Sequence, residues 1–511
     1  MMNLTPIART FLTRRARHLQ RIAVCTEQVQ RSLLSGLIRR ASSTVYGRDH
    51  TFARIRSYED FVRAVPIVEY EDIRPLVMRM VAGEKDVLWP GLTRRFAQSS
   101  GTSGGKSKYI PVTDDSLRLN HYAGARDAVA FYLAGNPASR MFAGKGFILG
   151  GSFANELTLP PGVKVGDLSA NLIDDINPVV NTLFRVPSKE IALMQDWQEK
   201  LPRLVEASLH QDITNISGVP SWFLTVLRRV IEAAGASSIH DVWPHLEVFF
   251  HGGISFRPYR EQYQAICDPS RMHYVETYNA SEGFFAAQDS PATSAMMLLP
   301  DIGVFYEFIP LDKLDSPESA AIPAWQAEPG RTYALVISAP NGLWRYLIGD
   351  TVRIESTSPL RITIAGRTRH FINAFGEEVM VHNTDAALAA ACSIARCAAA
   401  DYTVAPVFTT ERTKGHHQWL IEWATPPADP GQFAAILDRC LQDENSDYQA
   451  KRSSDIFLGP LQITEAPRGL FDRWLASTGK LGGQRKIPRL SNTRTLIDTL
   501  LTMAAASTRT K

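Results

Sequence analysis

The chain has 511 residues, of which 45% are hydrophobic and 21% charged, so its composition excludes a disordered or collagen-like chain. Its 55 Lys and Arg against 52 Asp and Glu leave a formal net charge of +3. Such a balance excludes a protein built to coat nucleic acid or an anionic membrane, so we expect neither as a partner. The length predicts more than one folding unit.

Cysteine usage and hydropathy indicate the compartment. The 5 cysteines are scattered and contain no C-x-x-C pair. No uncharged apolar run reaches the ~20 residues that span a bilayer. Because few, unpaired cysteines are typical of a reducing compartment, we expect a cytoplasmic protein.

The first part of the chain alternates between two periodicities. Helical spacing extends over residues 6–45, and Ser57 with Asp60 resembles a capping box that opens a helix at 57–64. From about residue 96, short apolar strands alternate with helical segments such as 115–133. This alternation predicts an α/β fold with a substantial parallel or mixed sheet.

A smaller α+β unit follows residue 366. Its predicted elements are helices at 384–400 and 430–444, strands at 402–409 and 417–424, and a mostly irregular tail. We place the boundary between residues 367 and 376, which predicts domains at 1–370 and 371–511.

The most informative segment is 98–108, which reads QSSGTSGGKSK. Its glycines let the backbone turn tightly and bring N–H groups close to an anion. Its hydroxyls and two lysines, Lys106 and Lys108, add donors and positive charge. This combination is suited to a polyphosphate.

Two familiar motifs overlap this segment, and neither fits it. A P-loop requires glycine at the position of Ser100, and both the P-loop and the G-x-S-x-G elbow of α/β-hydrolases lead into a helix. Residues 109–112 read YIPV and predict a strand instead. A serine hydrolase therefore stays a minor alternative.

A Ser/Thr/Gly-rich loop with lysine, held between two strands, resembles the phosphate loop of adenylate-forming enzymes. Residues 278–283 (YNASEG) resemble their aromatic-x-x-[ST]-Glu segment, and 346–350 (YLIGD) resemble their Tyr-x-x-Gly-Asp segment. Gly366-Arg367, followed by Gly376, resembles the hinge into their mobile C-terminal domain. The resemblance implies the adenylate-forming fold, with a large N-terminal domain of β-sheets flanked by helices and a smaller, mobile α+β domain.

Within that superfamily the resemblance narrows to one family. The string at 99–111 (SSGTSGGKSKYIP), with upstream strings at 57–61 (SYEDF) and 65–73 (VPIVEYEDI), closely resembles the auxin-responsive, Gretchen Hagen type acyl acid amido synthetases. The resemblance extends from about residue 30 to about residue 495. It implies that a carboxylic acid is activated with Mg²⁺ and ATP to an acyl-adenylate, and that the acyl group then passes to the amine of an amino acid.

The resemblance also implies residue roles. Tyr278 borders the adenine, Glu282 holds Mg²⁺ and acts in catalysis, Asp350 accepts the ribose hydroxyls, and Arg367 belongs to the nucleotide site. A carboxylate suits the ribose because its two oxygens can accept two O–H donors. The residues expected at the β- and γ-phosphates are Ser99, Ser100, Thr102, Ser103, Gly104 and Lys106.

The chain departs from the family pattern after the hinge. The plant enzymes carry a lysine about where residues 381–384 read VHNT. We therefore expect a later lysine, in the segment 479–489 (GKLGGQRKIPR), to take its place at the α-phosphate. Lys486 matches the family's Gln-Tyr-Lys-x-Pro-Arg tail and is preferred to Lys480, which matches the tail of other adenylate-forming enzymes.

The histidines do not identify a general base for the amine. His251, before Gly252-Gly253, is a candidate for the acyl pocket, although a lone histidine is more often structural. His416-His417 has no partner at metal-ligand spacing, which favours a surface turn.

Three functional alternatives stay open beside the amido synthetase. One is an adenylating enzyme that passes the acyl group to coenzyme A or to an amine other than an amino acid. Another is a homologue that binds nucleotide or acyl ligand without turnover, and the serine hydrolase is the third. The sequence leaves the acid, the amine and the oligomeric state undetermined.

Overall fold

The computed structural model describes residues 3–99, 107–153, 155, 157–254, 256, 259–314, 321–367, 371–409, 414–452, 458–477 and 487–508. Its described residues form two compact units. The first holds the described parts of 3–99, 108–256 and 263–367, and the second holds those of 371–508 with Ser107 and 259–262. The predicted α/β fold class is confirmed, since one large sheet is flanked by helices and a smaller α+β unit follows.

The stretch 6–45, which was predicted as one helical stretch, contains two long helices in the structure. Residues 23–25 form a 3₁₀ turn that interrupts the pattern at 6–45. The helices up to residue 266 are α1 (Thr5–Ile22), α2 (Thr26–Ala41), α3 (Val45–Asp49), α4 (Tyr58–Ala64), α5 (Tyr70–Val81), α6 (Asp114–Ser116), α7 (Tyr122–Gly135), α8 (Leu168–Asp175), α9 (Pro178–Phe184), α10 (Lys189–Ala192), α11 (Trp197–Leu209), α12 (Pro220–Ala234), α13 (Ile239–Val242) and α14 (Arg260–Ile266).

The predicted start of α4 is confirmed. The Ser57 hydroxyl accepts the Asp60 N–H, and the Ser57 N–H donates to the Asp60 carboxylate, each at 3.1 Å. This reciprocal capping box satisfies two backbone N–H groups that the start of a helix otherwise leaves without an acceptor.

The strands of the first unit are β1 (Arg95–Ser99), β2 (Lys108–Val112), β3 (Lys145–Ile148), β4 (Lys164–Gly166), β5 (Arg185–Val186), β6 (Ile213–Gly218), β7 (Val248–His251), β8 (His273–Ala280), β9 (Gly283–Ala287), β10 (Met296–Leu298), β11 (Phe305–Pro310), β12 (Ile322–Pro323), β13 (Thr332–Ser338), β14 (Tyr346–Thr357) and β15 (Leu360–Arg367). Most join one 12-stranded sheet in the order β12-β11-β13-β14-β15-β10-β9-β8-β7-β6-β3-β5.

The direction of the strands changes inside this sheet. β5, β3, β6, β7 and β8 are parallel, and β8 then pairs antiparallel with β9. The parallel strands bring their carboxyl ends to one edge, where Gly218 is in register with His251 and His251 with Glu276. In open α/β sheets, ligands bind at this edge, beside the point where the strand order changes.

A separate small sheet carries the predicted phosphate loop. Its order is β2-β1-β4, and β1 pairs antiparallel with β2 so that Ser99 lies opposite Lys108. The expected strands on both sides of the loop are therefore confirmed. Because the segment leads into a strand, both the P-loop and the nucleophile elbow are excluded.

The second unit contains β16 (Phe371–Ile372), β17 (Val379–Met380), α15 (Val381–Ala395), β18 (Ala398–Val407), β19 (His416–Thr425), α16 (Pro430–Glu444), α17 (Ser446–Arg452), β20 (Gln462–Ala466), α18 (Leu470–Ser477) and α19 (Thr495–Thr508). Its sheets have the orders β16-β17 and β18-β19-β20.

Two predictions for this unit were wrong. The tail is not mostly irregular, because β20, α18 and α19 follow α17, and apolar residues such as Leu470, Ile497 and Leu500 are buried. His417 is not in a surface turn but in β19, fully buried on the same face as Trp419 and Ile421. The period of two in a strand explains that burial, since alternate side chains share a face. No described helix combines the length and the apolar character that crossing a membrane requires.

Candidate active site

Tyr278 and Asp350 meet in the first unit. The Tyr278 hydroxyl donates to Asp350 Oδ2 at 2.7 Å, although the two residues are 72 positions apart in sequence. Both side chains are buried. Tyr278 lies on β8, whose carboxyl end belongs to the edge where open α/β sheets bind ligands, so the bond brings the carboxylate of β14 to this candidate ligand-binding edge. Both residues were predicted site residues, whereas the bond between them was not predicted.

The contact between these residues depends on the curvature of the sheet. Between β8 and β14 stand β9, β10 and β15, and a flat sheet would separate the outer two strands by about 19 Å. A tyrosine and an aspartate side chain cannot span that gap. The sheet therefore curls, which brings the side chains of Tyr278 and Asp350 together.

Gly349 shapes the approach to Asp350. Its φ is +97°, a conformation that residues with a Cβ rarely adopt. In the ladder with β15, Asp350 is directly opposite Arg367, the last residue of that strand. The structure thus places Arg367 beside Asp350 in backbone register, and the Arg367 side chain lies outside the described residues.

Glu282 lies in the turn between β8 and β9, four residues after Tyr278. Its side chain is buried, and its backbone carbonyl accepts a hydrogen bond from Asn341 Nδ2 at 2.9 Å. Asn120 holds the next part of the turn, because its amide pairs with both the N–H (2.7 Å) and the carbonyl (2.8 Å) of Phe284. Two buried asparagines therefore fix the backbone that carries Glu282.

Lys108, which follows the predicted phosphate loop, lies close to the Tyr-x-x-Gly-Asp segment. Lys108 Nζ lies 3.4 Å from the Tyr346 hydroxyl and 6.0 Å from the centre of its ring. The Tyr346 side chain is fully buried. Strand β2, which follows the loop, is also anchored, since the Tyr109 N–H donates to the Tyr70 hydroxyl at 2.8 Å. Two of the sequence motifs thus lie next to each other in space.

The upstream segments 57–61 and 65–73 support the strand that begins at Tyr346. The Tyr58 hydroxyl donates to Glu307 at 2.8 Å, and Glu307 forms a buried ion pair with Arg345 at 3.0 Å. Arg345 also donates to the Val65 carbonyl at 2.9 Å, and Val68 forms a parallel bridge with Tyr346. The strings at 57–61 and 65–73 therefore hold the strand that carries Asp350.

Burial governs the electrostatics of this support. It raises the pKa of Glu307, while the guanidinium of Arg345 acts in the opposite direction. A buried carboxylate with three donors around it keeps its partners in fixed positions, because removing any of them leaves a polar group without water.

Asn120 and His121 were not among the residues predicted from the sequence. They end a π-helical turn at Leu117–His121, a local irregularity that is frequent near functional sites. The His121 ring is buried, which lowers its pKa to about 4. Two adjacent polar residues on the inner face of the predicted helix at 115–133 were the signal that could have revealed them.

His251 packs inside the protein at the carboxyl end of β7. Its ring stacks on Phe256, with centroids 4.3 Å apart, and its carbonyl accepts from the Thr277 hydroxyl at 3.0 Å. The structural interpretation of this histidine therefore has direct support, while its predicted place in an acyl pocket stays a prediction.

Several predicted site residues lie outside the described residues. They are Ser100, Thr102, Ser103, Gly104, Lys106, Lys480 and Lys486. Ser99 is described, and it is the last residue of β1. Among the described residues, no group of three or more His, Cys, Asp or Glu side chains lies close enough to hold a metal ion.

Three family models cover most of the chain. The GH3 family N-terminal domain matches residues 15–272, the central domain matches 296–367, and the C-terminal domain matches 382–495. The chain belongs to the GH3 family. This confirms the predicted resemblance to the auxin-responsive amido synthetases.

Curated GH3 relatives match along nearly the whole chain. The probable indole-3-acetic acid-amido synthetase GH3.2 of Oryza sativa subsp. japonica is 21% identical over 93% of this chain and 90% of its own. The indole-3-acetic acid-amido synthetase GH3.8 of Oryza sativa subsp. indica is 23% identical over 93% and 89%. The indole-3-acetic acid-amido synthetase GH3.5 of Arabidopsis thaliana is 22% identical over 93% of this chain and 90% of its own.

Solved structures share the GH3 fold at low identity. The AtGH3.15 acyl acid amido synthetase, in complex with 2,4-DB, has a TM-score of 0.60 with 18% identity and covers 95% of each chain. A 2-hydroxyisobutyryl-CoA ligase, in complex with 2-HIB-AMP and CoA, has a TM-score of 0.54 with 14% identity over 94% of this chain and 92% of its own. The similarity over nearly the whole chain confirms the expected fold.

Proposed function

We propose that this GH3 protein is an ATP-dependent acyl acid amido synthetase. The observation that carries the proposal is the buried Tyr278–Asp350 pair at the ligand-binding edge, beside the Glu282 turn and the end of the phosphate loop. The relatives named above are amido synthetases, and they match this chain over nearly its whole length. This supports an amide-forming ligase. They do not identify the acid or the amine that this chain uses.

The first half-reaction activates the acid. A carboxylate oxygen attacks the α-phosphorus of ATP, the bond to the β-phosphate oxygen breaks, and pyrophosphate leaves with its electron pair. The work of the protein is to position the reactants and to neutralise charge. We assign the ribose hydroxyls to Asp350 and the adenine side to Tyr278, whose hydroxyl orients the carboxylate. Arg367, opposite Asp350, is assigned to the same nucleotide site.

The phosphate contacts are assigned to the loop between β1 and β2. Ser99 is the last residue of β1, opposite Lys108 in the ladder, so it comes directly before the loop in the chain. Further donors are assigned to Ser100, Thr102, Ser103, Gly104 and Lys106, which lie outside the described residues.

Mg²⁺ is assigned to Glu282. Magnesium is usually held by one or two protein carboxylates together with substrate phosphates and water. The donor set fits this rule, because Glu282 is a buried carboxylate on a turn fixed by two asparagines, and no larger cluster occurs among the described residues. The ion would neutralise charge on the departing pyrophosphate.

The second half-reaction forms the amide. A neutral amine attacks the acyl carbonyl, the bond to the adenylate oxygen breaks, AMP leaves, and the amine loses a proton. We assign the domains to 1–370 and 371–511, with a hinge at 367–376 about which the second domain reorients between the steps. Lys486, from the second domain, would stabilise charge on the α-phosphate during adenylation. The five unpaired thiols are compatible with the proposed cytoplasmic location.

Acid-dependent exchange of pyrophosphate into ATP tests the first step directly. A panel of aryl, indole and fatty acids is screened, and amide formation is then followed with a panel of amino acids. Asp350→Ala and Lys486→Ala should each lower the exchange rate by about 100-fold or more, since each removes a charged contact to the nucleotide. Absence of exchange with every acid would refute the proposal.

The remaining outcomes distinguish the alternatives. Loss in Lys480→Ala with full activity in Lys486→Ala would move the catalytic role to Lys480. Exchange followed by transfer to coenzyme A, but to no amino acid, would favour the thioester-forming alternative, which the coenzyme A ligase among the structural neighbours makes worth testing.

A further inference from the structure

The second unit contains a buried histidine–carboxylate pair that the proposed reaction does not use. His417 Nε2 lies 2.8 Å from Glu377 Oε1, and both side chains are completely buried. His417 is on β19, and Glu377 lies in the turn between β16 and β17. Removing a carboxylate from water costs several kcal/mol, and an apolar pair of the same volume often serves stability as well or better. The pair therefore needs an explanation other than stability.

Glu377 organises the turn in which it lies. Its two carboxylate oxygens accept the backbone N–H groups of Ala374 (3.2 Å) and Phe375 (2.6 Å). Together with the Nε2–H of His417, three donors converge on one carboxylate. Such an arrangement fixes both the side chain and the backbone around it.

The turn of residues 373–378 is strained. Glu378 has a φ of +38°, a region that few residues other than glycine occupy. Conformations of this kind persist only where the surrounding structure enforces them, and they concentrate at functional sites. The strained backbone at Glu378 thus indicates that the 373–378 turn has a function beyond packing.

Two further side chains hold the turn from outside. Asn492 Oδ1 accepts the Asn373 N–H at 2.7 Å, and Asn492 Nδ2 donates to the Phe371 carbonyl at 3.1 Å. The Tyr259 hydroxyl donates to the Ala374 carbonyl at 2.6 Å. The turn is therefore tied within the second unit to β19, to the segment before α19 and to the segment before α14.

We propose that His417, acting through Glu377, is a positioning residue that holds the 373–378 turn in the conformation required for the amide-forming step. This inference rests on the proposed function. The turn begins six residues after Arg367 and overlaps the segment 367–376 that is assigned to the hinge, whereas Tyr278, Glu282 and Asp350 belong to the first unit. Loss of the turn's conformation should therefore affect the step that follows reorientation more than the adenylation step.

Substitutions at His417 separate the two steps. His417→Phe keeps an aromatic ring between Phe375 and Tyr448 but leaves Glu377 without its third donor. We expect acid-dependent pyrophosphate exchange to stay within about threefold of wild type, and amide formation from preformed acyl-adenylate to fall by about tenfold or more. His417→Gln carries an amide N–H at nearly the position of Nε2, so it should restore most of the amide rate.

The adjacent histidine provides a matched control. His416 points to the opposite face of β19 and contacts the Lys414 carbonyl through Nδ1 at 3.1 Å. His416→Phe should leave both half-reactions unchanged. Should His417→Phe not fold, Glu377→Gln tests the same contact, because its carboxamide keeps the size of the side chain but loses the charge that holds three donors.

Amide hydrogen exchange of the peptide 371–380 reads the turn without any catalysis. The N–H groups of residues 374 and 375 should exchange slowly in wild type, His417→Gln and His416→Phe, and at least about tenfold faster in His417→Phe. Unchanged protection, or an equal loss in both half-reactions, would overturn the positioning role. A wild type that shows no acid-dependent exchange would instead refute the proposed function, and the hydrogen-exchange comparison would still decide whether His417 fixes the turn.

Discussion

The Tyr278 hydroxyl takes part in orienting Asp350. The Tyr278 O–H donates to Oδ2 at 2.7 Å inside a buried site, so this bond helps to fix the direction of the remaining carboxylate lone pairs. Tyr278→Phe removes the bond and keeps the ring, which packs edge to face on Phe285 at 4.9 Å. We expect the KM for ATP in the exchange reaction to rise about tenfold with kcat changed less than about threefold, since an oriented bond to a charged group is lost.

A second tyrosine–carboxylate pair gives the control for this substitution. The Tyr132 hydroxyl donates to Glu247 at 3.0 Å in another part of the same unit. Tyr132→Phe should lower the free energy of unfolding about as much as Tyr278→Phe does, because each removes one hydroxyl-to-carboxylate bond. It should leave the KM for ATP unchanged. In the double variant Tyr278→Phe/Asp350→Ala, the tyrosine change should have no further effect on KM. Additive effects would show that Tyr278 does not act through Asp350.

Both residues were predicted from the sequence, but the contact between them was not. Tyr278 and Asp350 each belong to a short motif that can be read locally. Their contact spans 72 positions and exists only because the sheet curls, which no local pattern specifies. Asn120, which holds the turn after Glu282, was missed for the same reason, since its partners Phe284 and Ile302 are more than 160 positions away.

The segment between α4 and α5 is joined to β11 and β14 by the buried Glu307–Arg345 pair. Arg345→Met removes the guanidinium and leaves an unpaired carboxylate in the interior. We expect the free energy of unfolding to fall by about 3–5 kcal/mol, as measured by urea unfolding followed by circular dichroism. Activity should fall with stability, because the same arginine donates to the Val65 carbonyl beside the Tyr346 strand.

A neutral pair should recover most of this loss. Arg345→Met/Glu307→Gln removes both charges, and the Gln carbonyl can still accept from the Tyr58 hydroxyl. A single variant as stable as wild type, or a double variant less stable than the single one, would contradict the importance of the unpaired charge. The comparison separates the cost of the orphaned carboxylate from the loss of the arginine itself.

Elements with strong local signals were predicted well, and those defined by distant packing were not. The Ser57–Asp60 box and the strands around the phosphate loop followed from local chemistry. The buried His417 and the helix α19 did not, because a polar histidine and a short apolar run do not show locally that another element will cover them. Period-two alternation with Trp419 and Ile421 was the available signal for His417.

Across the whole molecule, the predicted fold class was correct but the order of the large sheet was not predictable. β3 lies between β5 and β6, and β10 lies between β9 and β15, so neighbours in the sheet are often distant in the chain. Hydrophobic periodicity defines which segments are strands, whereas these pairings depend on which faces the surrounding helices cover. The predicted boundary between residues 367 and 376 rests on the change from a strand-rich pattern to a separate α+β pattern, and it stays a prediction.

The stability of the first unit should depend on pH through His121. Burial lowers the pKa of this ring to about 4, whereas an exposed histidine in the unfolded chain titrates near 6.5. Between those values the unfolded state binds a proton that the folded state does not. The stabilisation that comes from keeping the His121 ring neutral is therefore fully present above pH 6.5 and is lost as the pH falls towards 4, by about 2 kcal/mol at pH 5.

Urea unfolding of wild type at pH 7 and pH 5 should show this loss of unfolding free energy. His121→Gln should reduce the difference by that amount, and His210→Gln, at an exposed position, should leave it unchanged. An unaltered difference in His121→Gln would show that other groups cause the pH dependence.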